Sequence, residues 1–160
     1  MSDSTELSTP AAERMRKAKK YLRYFTMDTP ELNRLIRGKE IDDDRLEFSI
    51  LMTLSDWNTT TPLLTKVDIT NFPSLYLLMH GGAIQCLKMA GLYQSRNELT
   101  YSSGGSSFLR SNKTAYYQRW VSLFAAEYES KKLNYKIFQN VAGGFGDGFS
   151  SEYSLIGFDF

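Results

Sequence analysis

The sequence predicts a mainly α fold: a four-helix-type bundle with a small β-hairpin or loop projection and an extended C-terminal β arm. Three observations carry this. Apolar residues recur at helical spacing in segments bounded by capping and breaking residues. A glycine-tipped stretch, "ELTYSSGGSSFLRS", separates the last two of these segments. The chain then closes on "NVAGGFGDGFSSEYSLIGFDF", rich in glycine and aromatics and without a single Lys or Arg. The expected divisions are a basic N-terminal arm over 1–26, a helical body over 27–135 with a projection at 96–111, and the C-terminal arm over 136–160.

The N-terminal arm contains "ERMRKAKKYLRY", with six Lys or Arg against one Glu. At helical spacing Met15, Ala18, Leu22 and Phe25 share an apolar stripe, available to the body or to a partner. Arg14, Arg16, Lys17, Lys19, Lys20 and Arg23 are the candidate basic contact residues. Interleaved with Tyr21, Tyr24 and Phe25, they suit phosphate contact with base stacking. They equally suit a solvated helical face.

The first body helix is expected in "DTPELNRLIRG", with Asp28 or Thr29 as N-cap, Pro30 near the first helical position and Gly38 as stop. The second follows "EIDDD", where Asp43 or Asp44 caps it and Leu46, Ile50, Leu54 and Trp57 form one stripe. It ends at "NTTTP", since β-branched threonines before Pro62 favour extended backbone. The third runs from about Pro73 to Gln94. Leu75, Leu78, Met79, Ala83, Cys86, Leu87 and Ala90 make its main face, while Leu77, Ile84, Met89 and Leu92 lie elsewhere around it. A helix apolar nearly all round belongs at the centre of a bundle. Gly81, Gly82 and Ala83 allow a close neighbour. The fourth runs from Ser111 or Asn112 to about Asn134 and uses Tyr117, Trp120, Val121, Phe124 and Tyr128, with Leu78, Leu87, Trp120 and Phe124 expected inside.

Between the third and fourth helices, Leu99, Tyr101 and Phe108 flank the "SGGS" centre. They are the candidate inter-subunit projection, the alternative being a plain hairpin cap. In the C-terminal arm, Ile156, Phe158 and Phe160 alternate with Leu155, Gly157 and Asp159, which is a strand period. The candidate partner-binding residues are Phe145, Phe149, Tyr153, Ile156, Phe158 and Phe160, the alternative being a tail folded back as a hairpin against its own helices. A strand so short needs a sheet edge or groove to join.

Composition narrows the function classes. The 160 residues suit one compact domain with extensions, and an apolar fraction of 42% supports a core. A formal net charge of +1 argues against a protein that coats nucleic acid. One cysteine, Cys86, excludes an intrachain disulfide. The ends show no signal, lipidation or membrane-spanning pattern, so the expected place of work is the cytoplasm or something assembled there.

Catalytic chemistry finds little support. His80 is the single histidine and sits mid-helix, where it reads as a packed residue. The "DDDRLE" carboxylates, Asp42, Asp43, Asp44 and Glu47, are explained by capping and the helix dipole rather than by a metal. "GGFGDG" lacks the Lys-Ser or Lys-Thr and the following helix of a phosphate loop. No catalytic residue, metal site or cofactor is expected.

The runs "ELNRLIRGKEIDDDRLEFSILMTLSDWNTTTP", "NFPSLYLLMHGGAIQCLKMAGLYQSRNELTYSSGG", "YYQRWVSLFAAEYESKKLNYKI" and "SSEYSLIGFDF" resemble virion structural proteins of tailed bacteriophages, of the head-to-tail connector, adaptor or neck class. The resemblance spans roughly residues 29–160. It implies a non-enzymatic ring, commonly twelve-fold, that joins the portal and capsid to the next neck or tail protein and lines the genome passage. It implies assembly in the host cytoplasm, a place at the head-tail junction, viral DNA passing without specific binding, and no membrane. It also implies that the C-terminal extension reaches onto the portal or an adjoining ring. The reading from a different class is a small DNA-associated protein that contacts phosphates through residues 14–25.

Overall fold

The computed structural model describes residues 9–33, 37–64, 66–96, 101–103, 106–108 and 114–145, with the backbone alone for the two short segments after residue 100. The described chain is mainly helical, a bundle of α1 (Pro10–Phe25), α2 (Asp43–Thr59), α3 (Leu75–Arg96) and α4 (Thr114–Phe145). A three-residue antiparallel ladder joins β1 (Tyr101–Ser103) to β2 (Ser106–Phe108), with Tyr101 opposite Phe108.

α1 starts where Pro10 occupies the first helical turn and the Thr9 hydroxyl accepts from the Ala12 amide. Its apolar stripe packs on the body: Ala18 and Leu22 are fully buried and Met15 lies against the core. The boundary expected at residue 26 therefore divides nothing in the described fold. Met27, at φ 56°, turns the chain out of the helix.

The helix expected in 28–38 is not observed among its described residues. The Thr29 carbonyl takes the Leu32 and Asn33 amides in a turn, and Arg37 sits at φ 49°, a left-handed value that no helix interior accepts. Asp28 caps no helix. Its carboxylate instead accepts from Arg23 at 2.7 Å, Asn33 at 2.7 Å, and the Glu40 and Ile41 amides at 2.7 and 3.1 Å. The polar residues of this segment gather a loop around one buried acid.

α2 is capped by Asp42, one residue before the expected caps, through its carboxylate and the Arg45 amide at 2.8 Å. Leu46, Ile50, Leu54 and Trp57 are all buried, as their spacing predicts. Each contributes roughly 1.5–3 kcal/mol by leaving water. The helix ends at Thr60, whose ψ of 134° is extended, and the Thr61–Pro62 peptide is cis.

α3 begins at Leu75 rather than Pro73, and it holds the centre. Leu77, Leu78, Met79, His80, Ala83, Ile84 and Cys86 are buried, with α1, α2 and α4 all packed on it. The close approach foreseen at its glycines is made by side chains. A Cβ on Gly81 would overlap Thr53 of α2, and one on Gly82 would meet Leu22 of α1 at 2.9 Å. Toward the C-terminal end the burial fades, so that Leu87 is half-buried and Leu92 exposed.

α4 runs antiparallel to α3, with Tyr117 beside Gly91 and the Phe124 ring edge-on to His80. It extends to Phe145, well past the expected end near Asn134, so residues 136–145 are helix and not the start of an extended arm. Two residues beyond Asn134 hold it on the body: Tyr135 lies 5.8 Å from the Trp57 ring, and Lys136 is buried against the end of α2. Trp120, expected inside, is 51% exposed. It leans on Phe124 at 5.6 Å while its other face meets solvent, because α4 turns Tyr117, Val121 and Phe124 toward α3 instead.

Candidate interaction surfaces

The basic residues of α1 are mostly engaged within the chain. Arg14 donates to the Thr70 carbonyl. Lys17 pairs with Glu13 at 3.4 Å and Lys19 with Glu47 at 2.8 Å. Arg23 is buried between Asp28 at 2.7 Å and Asp43 at 2.6 Å, and this guanidinium holds the Asp43 carboxyl below its ordinary range. Lys20 lies 5.8 Å from the Tyr24 ring centroid. Arg16 is exposed. The cluster that reads as a phosphate contact in sequence is thus largely a set of intramolecular ties. Beyond the Glu13–Lys17 pair at i, i+4, no spacing rule reveals this, because the other partners come from positions 28, 43, 47 and 70.

A second set of cations closes the seam between α2 and α4. Lys132 is 1% exposed and reaches Asp56 at 2.8 Å and Glu129 at 2.8 Å. The Tyr128 hydroxyl donates to the same Asp56 oxygen at 3.0 Å. Burial first, then the neighbouring Asp56 charge, pushes the Tyr128 hydroxyl far above its ordinary ionisation range. Lys136, also 1% exposed, donates to the carbonyls of Trp57, Thr60 and Pro62. These are carbonyls at and beyond the C-terminal end of α2, where helix geometry leaves acceptors unpaired and the dipole favours a cation.

His80 occupies an aromatic cage. Its ring lies 3.9 Å from Tyr76, 5.0 Å from Phe25 and 5.7 Å from Phe124, and Nδ1 is 3.0 Å from the Tyr76 carbonyl. Cys86 is buried with its Sγ 3.2 Å from the Ser49 hydroxyl, and burial raises the thiol above its ordinary range. The arrangement packs His80 and Cys86 on opposite partners, α4 and α2, rather than aligning a base with a nucleophile. Among the described residues no three His, Cys, Asp or Glu gather as metal ligands. None of the described helices is long and apolar enough to cross a membrane.

What the fold leaves open is apolar surface. On α4, Tyr116, Trp120 and Leu123 near the start, and Leu133, Ile137 and Val141 further on, are between 45% and 67% exposed. At 100° per residue, all but Leu133 fall on one side of the helix, in two groups separated by Glu127, Ser130 and Asn134. Phe48, Leu51 and Met52 form a further exposed group on α2. Scattered exposed apolar residues are ordinary, whereas groups of this kind mark contact surfaces. The sequence reading missed both, since each was assigned to a helix whose other face was already taken as the core.

Exposed cations lie toward the end of α3 and the start of α4. Lys88, Arg96 and Arg119 are exposed there, and none is paired with a carboxylate among the described residues. α3 contains no Asp or Glu, and α4 has none before Glu127. Of the expected projection, Tyr101 and Phe108 are paired across the ladder and Leu99 lies outside the described residues. Of the expected C-terminal contact residues, Phe145 is the last residue of α4, and Phe149, Tyr153, Ile156, Phe158 and Phe160 lie outside the described residues. Compared with protein-family models, curated proteins and solved structures, the chain matches none.

Proposed function

We propose that this chain is a non-enzymatic structural protein of a tailed-phage virion, an oligomeric ring at the junction of portal and tail that surrounds the genome passage. The phage reading rests on the resemblance of the sequence. What supports an assembly role is the exposed apolar surface on α4, one group at Tyr116, Trp120 and Leu123 and another at Ile137 and Val141. A helix that exposes this much apolar surface gains most when a second surface covers it. In this reading the hairpin ladder projects toward a neighbouring copy, and the C-terminal residues Phe149, Tyr153, Ile156, Phe158 and Phe160 clasp a neighbour or the portal. Ring closure by a side-to-side heterologous contact follows from such complementary, non-identical surfaces.

The DNA-associated reading draws less support, because Arg14, Lys17, Lys19 and Arg23 already hold oxygen partners within the chain. The two readings part under one experiment. Electron microscopy of the purified protein with portal complexes, at moderate salt, shows closed rings if the structural reading holds. A protein that stays monomeric with portal present, while retarding duplex DNA in a strongly salt-dependent way, overturns it.

A further inference from the structure

We infer that, in the free chain, the C-terminal segment from Phe149 onward lies back along the last turns of its own α4, over Val141, Ile137 and Leu133. These three exposed residues stand four apart in one helix, so each sits about one turn behind the next. The surface they make carries no charge. Between Leu133 and Phe145 the one Lys, Arg, Asp or Glu is Lys136, and its ammonium is buried against the end of α2. A phosphate backbone therefore meets no free cation on these turns, and an apolar segment has no charged group to desolvate.

The sequence that follows α4 carries a matching pattern. Phe149, Tyr153, Ile156 and Phe160 are spaced by four, three and four residues, the intervals of an apolar helical edge. At about 1.5 Å per residue, Phe149 to Ile156 spans about 11 Å, against about 12 Å from Val141 back to Leu133. Gly146, Asp147 and Gly148 stand between the two stretches, a turn composition that suits a tight antiparallel return. The tether selects the occupant. A segment held three residues from the end of α4 meets Val141 at an effective concentration in the mM range, whereas the same segment of another copy arrives only at its bulk concentration. The exposed Phe48, Leu51 and Met52 on α2 are the rival seat, without that adjacency in the chain. The contact stands whether or not the chain assembles, and where it does assemble a partner must first displace it.

Disulfide trapping in the full-length chain tests this, with buried Cys86 retained throughout. At micromolar protein, mild oxidation of the Ile137→Cys/Tyr153→Cys double variant is expected to give mainly an internally bridged monomer, at a rate independent of protein concentration. Met52→Cys/Tyr153→Cys is expected to bridge about tenfold more slowly or less. Covalent multimers in place of the bridged monomer assign the segment to a neighbouring copy and overturn the inference. Equal bridging of the two pairs overturns it as well, since the segment then has no preferred seat, and so does the absence of any bridge. A second readout uses no cysteine. Ile137→Asp/Val141→Asp charges the α4 seat, and chymotrypsin is expected to cut after Phe149 and Tyr153 several-fold faster than in the parent, with the melting temperature unchanged. Leu51→Asp/Met52→Asp, which charges the exposed group on α2, is expected to leave that cleavage rate as it was. Equal cleavage in the parent and the Ile137→Asp/Val141→Asp chain overturns the inference, whatever happens to ring assembly.

Discussion

Lys136 stands over the indole of Trp57, its ammonium 5.2 Å from the ring centroid and hydrogen-bonded to that residue's own carbonyl. The same ammonium takes the Thr60 and Pro62 carbonyls, so one side chain of α4 terminates α2. Replacing it with an apolar chain of like length keeps the packing and strands the acceptors. Lys136→Met is expected to destabilise the fold by about 2–3 kcal/mol, the cost of buried carbonyls left unpaired. Urea denaturation shows this as a lower midpoint at unchanged slope.

Glycine substitutions should divide sharply by position. Gly81→Ala drives a methyl into Thr53 and is expected to cost about 1–3 kcal/mol, despite the better helix propensity of alanine. Gly143→Ala and Gly144→Ala meet nothing within 4 Å on an exposed helix end. Each is expected to stabilise by up to about 0.5–1 kcal/mol, read as a small rise in melting temperature. A destabilising outcome at 143 or 144 contradicts a helix extending that far.

Stability should fall on the alkaline side. Burial raises the Tyr117, Tyr128 and Tyr135 hydroxyls above their reference value of 10.0 and the Cys86 thiol above 9.0. In each case the unfolded chain loses its proton first, so the folded state is favoured fully below the reference value and progressively less above it. Lys136, lowered by burial, acts in the opposite sense below its reference value of 10.5. Tyr76, raised by burial first, and Lys131, raised by its bond to Glu127, act in the same sense as these four, so the melting temperature is expected to be flat from about pH 6 to 8.5 and to drop steadily from pH 9 to 11. A profile still rising through pH 10 is inconsistent with this burial.

The basic face of α1 gives a direct comparison between the two functional readings. Arg16→Glu/Lys20→Glu alters the cations with no carboxylate partner among the described residues, and its stability is expected to stay within about 0.5 kcal/mol of the parent. Incorporation into rings, scored by electron microscopy, is expected to be unchanged. If incorporation is lost while the chain remains folded, the arm contacts something that the assembly needs.

The parts of this fold legible in sequence are those set by one helix alone. The Leu46–Ile50–Leu54–Trp57 stripe and the central place of α3 follow from spacing and from an all-round apolar pattern. Where the outcome depends on distant partners, the reading failed for identifiable reasons. "DTPELNRLIRG" has every local sign of a helix, yet Asp28 is claimed by Arg23 and by the Glu40 and Ile41 amides. The glycines after Ala142 look like a break, yet α4 carries through them to Phe145 beyond the anchorage of Tyr135 and Lys136. The basic arm looks like a phosphate contact until the oxygens that face it are known. The exposed apolar surface at the start of α4 was hidden because Trp120 reads as core to any rule that equates bulk with burial.

The lone thiol sealed between α2 and α3 also makes the protein its own clock. Cys86 reacts with an alkylating reagent only when the Ser49 side of the seam parts, and no other sulfhydryl competes for the signal. The labelling rate, divided by that of a free thiol, gives the fraction of time the central helix is uncovered. Measured with and without a candidate partner, that ratio reports whether the partner tightens the core, without any introduced probe.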